Sequence, residues 1–343
     1  MNSLPMKNCL LHLGLLLGAM VPAAHAGLFN LASANVSALG ANSLVSQGLF
    51  DAAATAAAAQ SAQSLHAAGG VTNVLGSVTS SATARAAAGQ LGIGTSVNIS
   101  SAGAIEPLKG SAGTFENAAA GQFFDAYGAQ AEFTSSDLVI SPVPGSGLSG
   151  AGTLTAQLNL SLDGSFLGNA TGPFAGTASV VSRLNLVVRF GYMDPVTFSQ
   201  GGTLQTGQVT LTQSSGGVAT FDGGSGLFAG YTGGPLALTT VAAALPIGVP
   251  IELSVRLANL TTVQATGTID YQGGVDYLHT LSLPTSGPVL NLPSGYTAAS
   301  TELNVANNAF TAVPEPEEWA LFAGTALLAG GLWQRRQRLI ASM

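Results

Sequence analysis

The chain has 343 residues, only 7% of them charged and 45 of them Gly, which is long enough for one large all-β domain or two small ones with a sizeable core. Between Gly27 and Val313 five Lys and Arg stand against thirteen Asp and Glu, so this stretch is acidic and lacks the basic footprint that sequence-independent DNA or RNA binding needs. Nucleic acid is therefore excluded as a partner.

In chain order, residues 1–26 read as a secretory signal peptide. Lys7 precedes the apolar run from Cys9 to Val21, and Ala24-His25-Ala26 supplies the small-x-small pattern that signal peptidase accepts. Cleavage after Ala26 makes Gly27 the expected mature start. The run is too short to cross a bilayer of about 30 Å as a helix. Cys9 is the only cysteine and would leave with this segment, so disulfides, cysteine nucleophiles and thiolate metal ligation are not expected of the mature chain.

Residues 27–105 are rich in Ala, Ser and Gly. The run from Asp51 to Gly70, DAAATAAAAQSAQSLHAAGG, has the alanine content of a helix stopping at Gly69-Gly70, with a thin apolar face. This segment is expected to be low-complexity or helical, without a site.

From Glu106 to Phe310 the pattern turns to period two. Leu138 to Ile140, Leu154 to Leu162, Val180 to Phe190, Val209 to Leu211, Leu236 to Thr240, Ile251 to Leu257 and Thr262 to Ile269 read as strands. Asp163-Gly164 and Asp222-Gly223 are turn dipeptides. Strands at such spacing without intervening amphipathic helices predict an antiparallel β-sandwich of jelly-roll type over residues 106–310.

Catalytic constellations are absent from this pattern, and no catalytic residue and no cofactor are assigned. His279, with Asp270 and Asp276 upstream around Gln272-Gly273-Gly274, is the best-placed histidine, but no G-x-S-x-G elbow accompanies it. Gly145, Gly147 and Gly150 spell G-x-G-x-x-G, yet they follow Pro142 and Pro144 and lead into a strand, where a dinucleotide phosphate would find no helix N-terminus. Asp163, Asp194, Asp222, Asp270 and Asp276 are read in or beside turns, where extracellular domains gather calcium. None has EF-hand spacing, so no metal site is assigned and turn formation is their expected role, with calcium binding as the lesser alternative. Tyr127, Tyr192, Tyr231, Tyr271, Tyr277 and Tyr296 are the aromatics open to sugar stacking, with core or edge packing as the ordinary alternative.

Residues 311–343 carry three signals in order. Pro314-Glu315-Pro316 lies in an acidic, Pro-rich stretch; an apolar segment runs from Trp319 to Trp333; Arg335, Arg336 and Arg338 follow. Tryptophan at both ends suits the two interfaces, and the arginines obey the positive-inside rule, which places everything upstream outside the cytoplasm. A transmembrane helix is expected here, against the plainer alternative of a generic tail anchor on a Pro-rich stalk.

The order VPEPEEWALF, apolar and Gly-containing residues, then RRQR closely resembles the PEP-CTERM sorting tail of exported proteins from Gram-negative bacteria that make exopolysaccharide. The resemblance covers Val313 to about Arg338. It implies recognition of Pro314, Glu315 and Pro316 by exosortase, a transient inner-membrane precursor held by Arg335, Arg336 and Arg338, and a cell-surface or extracellular-matrix destination. The stretch from Pro246 to Phe310, with LPSGYTAASTELNVANNAF, more loosely resembles the closing strands of β-sandwich domains attached to such tails. The function implied is that of a noncatalytic surface or exopolysaccharide-matrix protein. A carbohydrate-binding module and, behind it, a secreted hydrolase are the alternatives.

Overall fold

A computed structural model describes residues 28–38, 41–50, 54–66, 73–101, 128–174, 177–193, 199–214, 219–266 and 269–311. The expected signal peptide with Ala24 and Ala26, and the expected sorting tail with Pro314 to Pro316, Trp319, Trp333 and the three arginines, lie outside these residues. No helix among the described residues is long and apolar enough to cross a membrane.

Five strands precede residue 102: β1 (Phe29–Ala38), β2 (Ala41–Phe50), β3 (Ala54–His66), β4 (Asn73–Ala87) and β5 (Gln90–Ser101). Five long strands follow: β6 (Gly128–Pro142), β7 (Thr153–Leu162), β8 (Ser165–Phe174), β9 (Thr177–Met193) and β10 (Gln200–Ser214). Next come β11 (Ala219–Phe221), β12 (Ser225–Gly226), β13 (Leu236–Thr239), β14 (Ala243–Pro246), β15 (Ile251–Thr266) and β16 (Ile269–Ser282). Four short strands close the described chain: β17 (Leu290–Asn291), β18 (Tyr296–Ala299), β19 (Val305–Ala306) and β20 (Ala309–Phe310).

Among the described residues these strands form two nine-stranded antiparallel sheets and a two-stranded one, β19-β20. The first runs β11-β10-β9-β15-β6-β1-β2, with β12 on β10 and β18 on β6; the second runs β13-β7-β16-β5-β4-β3, with β14 and β17 on β7 and β8 on β16. Alternation explains the faces. In β7, Ala156, Leu158, Leu160 and Leu162 are buried while Gln157, Asn159 and Ser161 stand on the other side. Leu184, Leu186, Val188 and Phe190 do the same in β9, and the buried residues of both sheets belong to one hydrophobic cluster.

The expected helix in the Ala-rich stretch is corrected: Ala54–His66 is strand β3, paired with β4 from Ala54↔Ala86 to His66↔Asn73. Alanine's helix propensity is a weak prior, and a helix here would have offered little apolar surface to bury. As a strand, Ala54 and Ala56 turn inward while Thr55 and Ala57 turn out. Residues 28–101 thus share both sheets with later strands, β1 pairing β6 and β5 pairing β16.

Small side chains leave their mark on the spacing of the sheets. Cα atoms of β1 come within 8 Å of those of β3 and β4, and β6 approaches β4 and β5 as closely, although these strands belong to opposite sheets. Facing sheets usually stand about 10 Å apart. Such approaches become rare between β9 and β16, where the cluster is filled by Leu, Val, Phe and Tyr. Strands of the two sheets therefore approach each other most often at the alanine end.

Two further expectations change. Ile251 to Leu257 and Thr262 to Ile269 are not two strands: Ile251–Thr266 is continuous, paired with β9 along its whole length. Asn259 does not break it because its amide is hydrogen-bonded inside the molecule. Asp270 and Asp276, read as flanking a turn, lie within β16, where Gly273 gives room for the Tyr271 phenol to lie across its Cα. The Asp163-Gly164 and Asp222-Gly223 pairs do connect strands, β7 to β8 and β11 to β12.

Candidate functional site

Most polar side chains with defined partners in this fold are committed to holding it together. Asp137, near the end of β6, accepts hydrogen bonds from Ser135 Oγ at 3.0 Å, Thr301 N at 2.7 Å, Thr301 Oγ1 at 2.6 Å, Glu302 N at 3.1 Å and Ser300 Oγ. Glu302 answers by accepting from Ser136 N at 2.7 Å and Ser136 Oγ at 3.3 Å. Partial burial works against the Asp137 charge, but the bonds from Ser300, Thr301, Glu302 and Ser135 outweigh it and hold the carboxyl below its ordinary range. Sequence reading passed over this clamp, since Asp137 and Ser300 are 163 positions apart.

Asp222 is a smaller case of the same chemistry. Slight burial opposes its charge, and the backbone N–H groups of Thr210 at 3.1 Å and Gly224 at 2.9 Å prevail, lowering its pKa. This is turn chemistry. Asp163 is exposed, and Asp194 lies outside the described residues. Among the described residues no group of three or more His, Cys, Asp or Glu gathers as a metal site.

The tyrosines divide. Tyr271 and Tyr277 of β16 are buried, as is Tyr231 in the loop before β13. The Tyr277 hydroxyl lies 2.8 Å from that of Tyr231, which donates to Gly234 O at 3.0 Å and accepts from Gly234 N at 3.1 Å. Phe166 packs edge-on against Tyr277 with ring centroids 5.6 Å apart, and Phe221 against Tyr231 at 6.0 Å. Burial pushes the Tyr271 phenol up to about 12. Burial first, then Tyr231, push Tyr277 higher still. These rings are core, not platforms for sugar. Tyr192 and Tyr296 are half-buried, Tyr127 is outside the described residues, and of the His279 side chain nothing is described.

A second internal group ties the two sheets. Thr95 of β5 donates to Asn259 Oδ1 of β15 at 2.9 Å; Thr261 reaches the same oxygen at 3.4 Å and Ser182 of β9 at 3.0 Å; Asn259 Nδ2 donates to Arg183 O at 3.1 Å. Asn259 is fully buried, so its satisfied amide fixes how the layers register. The G-x-G-x-x-G stretch is a loop between β6 and β7, with Gly145 at φ +82° and Gly147 at φ +70°. A strand follows it, as the sequence predicts.

What remains is the face of the first sheet turned away from the core. Strand register places Arg183, Asn185, Val187 and Arg189 there on β9, beside Leu260, Ala258, Arg256 and Ser254 of β15 and, one strand further, Gln130 and Glu132 of β6. Arg189 is ion-paired with Glu252, and Ser254 Oγ donates to Glu132 Oε1 at 2.8 Å. Arg183 Nε and Asn185 Nδ2 are buried donors without a hydrogen-bond partner among the described residues. No single-sequence signal marks this group, because it exists only once β6, β9 and β15 are in register. No family model, no curated protein and no solved structure matches the chain.

Proposed function

We propose that this is a noncatalytic exported surface or exopolysaccharide-matrix protein, sorted by exosortase through its tail, with its described strands forming a jelly-roll-like sandwich. The observation that carries the reading is the ordered tail: Pro314-Glu315-Pro316, the apolar segment from Trp319 to Trp333, then Arg335, Arg336 and Arg338. It begins just after β20, so the motif follows the described fold within a few residues. Prolines on both sides of Glu315 keep the tripeptide extended and remove backbone donors, which keeps it out of the sheets. The commitment of Asp137 and Asp222 to clamps supports a noncatalytic role.

The test is processing. Intact mass of protein from envelope and medium should give a start at Gly27 and loss of the arginine end. Changing Glu315 to Ala should leave thermal unfolding unchanged while precursor accumulates in the membrane. Normal processing of that variant in a host containing exosortase would favour the plain tail anchor.

A carbohydrate-binding module is the second reading. Burial of Tyr231, Tyr271 and Tyr277 removes the sugar-stacking form of it, while the polar outer face of β9 and β15 supports a form based on hydrogen bonds and charge.

A further inference from the structure

Three of the four arginines among the described residues, Arg183, Arg189 and Arg256, share one face of one sheet in an otherwise acidic chain. Arg189 is neutralised by Glu252. The other two differ. Arg256 lies opposite Glu132 across the β15–β6 ladder, yet the Glu132 hydrogen bond comes from Ser254, and the Arg256 guanidinium has no ion-pair partner among the described residues. Among the described residues Arg183 carries an Nε–H with no acceptor, and two residues on, Asn185 carries an unpaired Nδ2. An unmade hydrogen bond at a buried donor is costly. Donors kept in that state are met when an acceptor arrives from outside, after a small rotation of the side chains.

The spacing restricts the acceptor. Arg183 pairs with Leu260, four residues along β15 from Arg256, so at about 3.4 Å per residue and 4.8 Å per strand the two Cα atoms are about 14 Å apart. Asn185 and Gln130 flank Ala258 between them. A small anion reaches one guanidinium, whereas an extended chain with anions at intervals and hydroxyls between them reaches both and meets the amides on the way. Two uncommitted cations are too few for the dense phosphates of nucleic acid, which needs many neutralised contacts for affinity. Guanidinium and carboxylate are matched in shape.

We infer that the outer face of β9 and β15 binds a carboxylated polysaccharide, with Arg183 and Arg256 taking two carboxylates of one strand and Asn185 and Gln130 its hydroxyls. This rests on the polysaccharide-contact reading above and is independent of whether exosortase processes the tail.

The test uses the full-length chain in mild detergent, with polygalacturonate, the same polymer after reduction of its carboxyls, and double-stranded DNA as probes. Wild type should bind polygalacturonate about tenfold or more tighter than the reduced polymer, and the affinity should fall with added salt. The pair of changes Arg183→Gln and Arg256→Gln should weaken binding about tenfold, whereas Arg85→Gln, which removes one charge from the other sheet, should change it less than about twofold. Should the double variant melt early, Asn185→Ala, which should weaken binding about threefold, carries the comparison. Absent wild-type binding, an equal loss in Arg85→Gln, equal binding of the reduced polymer, or tighter binding of DNA each overturns the assignment. The processing assay is separate, so failure of the sorting reading would be seen there and not here.

Discussion

The two ends of this fold are built from the same antiparallel pairing and differ in what fills the space between layers. At one end Ala32, Ala34, Ala54, Ala56, Ala82 and Ala84 are buried, and strands from opposite sheets come within 8 Å. At the other, Leu160, Leu186, Phe190 and Tyr277 are buried and close approaches between strands of the two sheets are rare. Alanine buries little area per residue, so the narrow end draws its cohesion from backbone ladders and close approach, and the wide end from side-chain volume. Strand β6 crosses between the regimes, with Ala129 and Ala131 at its start and Leu138 and Ile140 toward its end.

That contrast can be broken by exchanging the two kinds of residue. The largest effect is expected from Leu186→Ala at the wide end, a loss of about 2–5 kcal/mol in urea unfolding, because the cavity cannot close against layers held apart by their neighbours. A loss near zero would show that this end is not filled as described. Ala131→Leu at the narrow end should cost about 1–3 kcal/mol through overpacking; a neutral or stabilising result would mean the layers there are free to separate. Asp137→Ala, which releases residues 300–302 from β6, should cost about 1–3 kcal/mol at neutral pH. Its folded pKa is depressed, so the wild-type contribution is complete above the unfolded value of about 3.9 and is lost as pH falls through the lower folded value. The stability difference between wild type and variant should therefore shrink below about pH 4, and a difference that stays constant to pH 2 would remove the carboxylate from the account.

Legibility in the sequence follows the same divide. Where large residues alternate, as in Leu154 to Leu162, period two is visible and the strand was placed correctly. In β3 the alternation is Ala against Ala and Thr, which carries no hydropathy contrast, and propensity misdirected the reading toward helix. The continuity of Ile251–Thr266 through Asn259 is not legible locally, because a buried amide is justified only by its partners, and Thr95 lies 164 residues away. The arginine face was illegible for a related reason. Arg183 and Arg256 become neighbours through pairing that no local pattern encodes.

The closing hairpin bears on the order in which the chain can be completed during synthesis. Asn307 and Asn308 both take positive φ, 51° and 62°, between the paired residues Ala306 and Ala309, the geometry of a tight two-residue turn. Asn308 also holds Leu290 through its side chain, bonding the backbone N at 2.9 Å and O at 2.7 Å. Just upstream, β18 lies along the end of β6, and Thr301 reaches Asp137. A chain made from its N-terminus thus has β6 present long before the segment that covers it. Until residues 296–299 have emerged, the edge of β6 at Val139 to Pro142 lacks its partner, a span in which unpaired strands invite wrong pairing. The last step of folding falls to residues 296–310, so a nascent chain cut short before them would lack the strand that closes this edge of the first sheet.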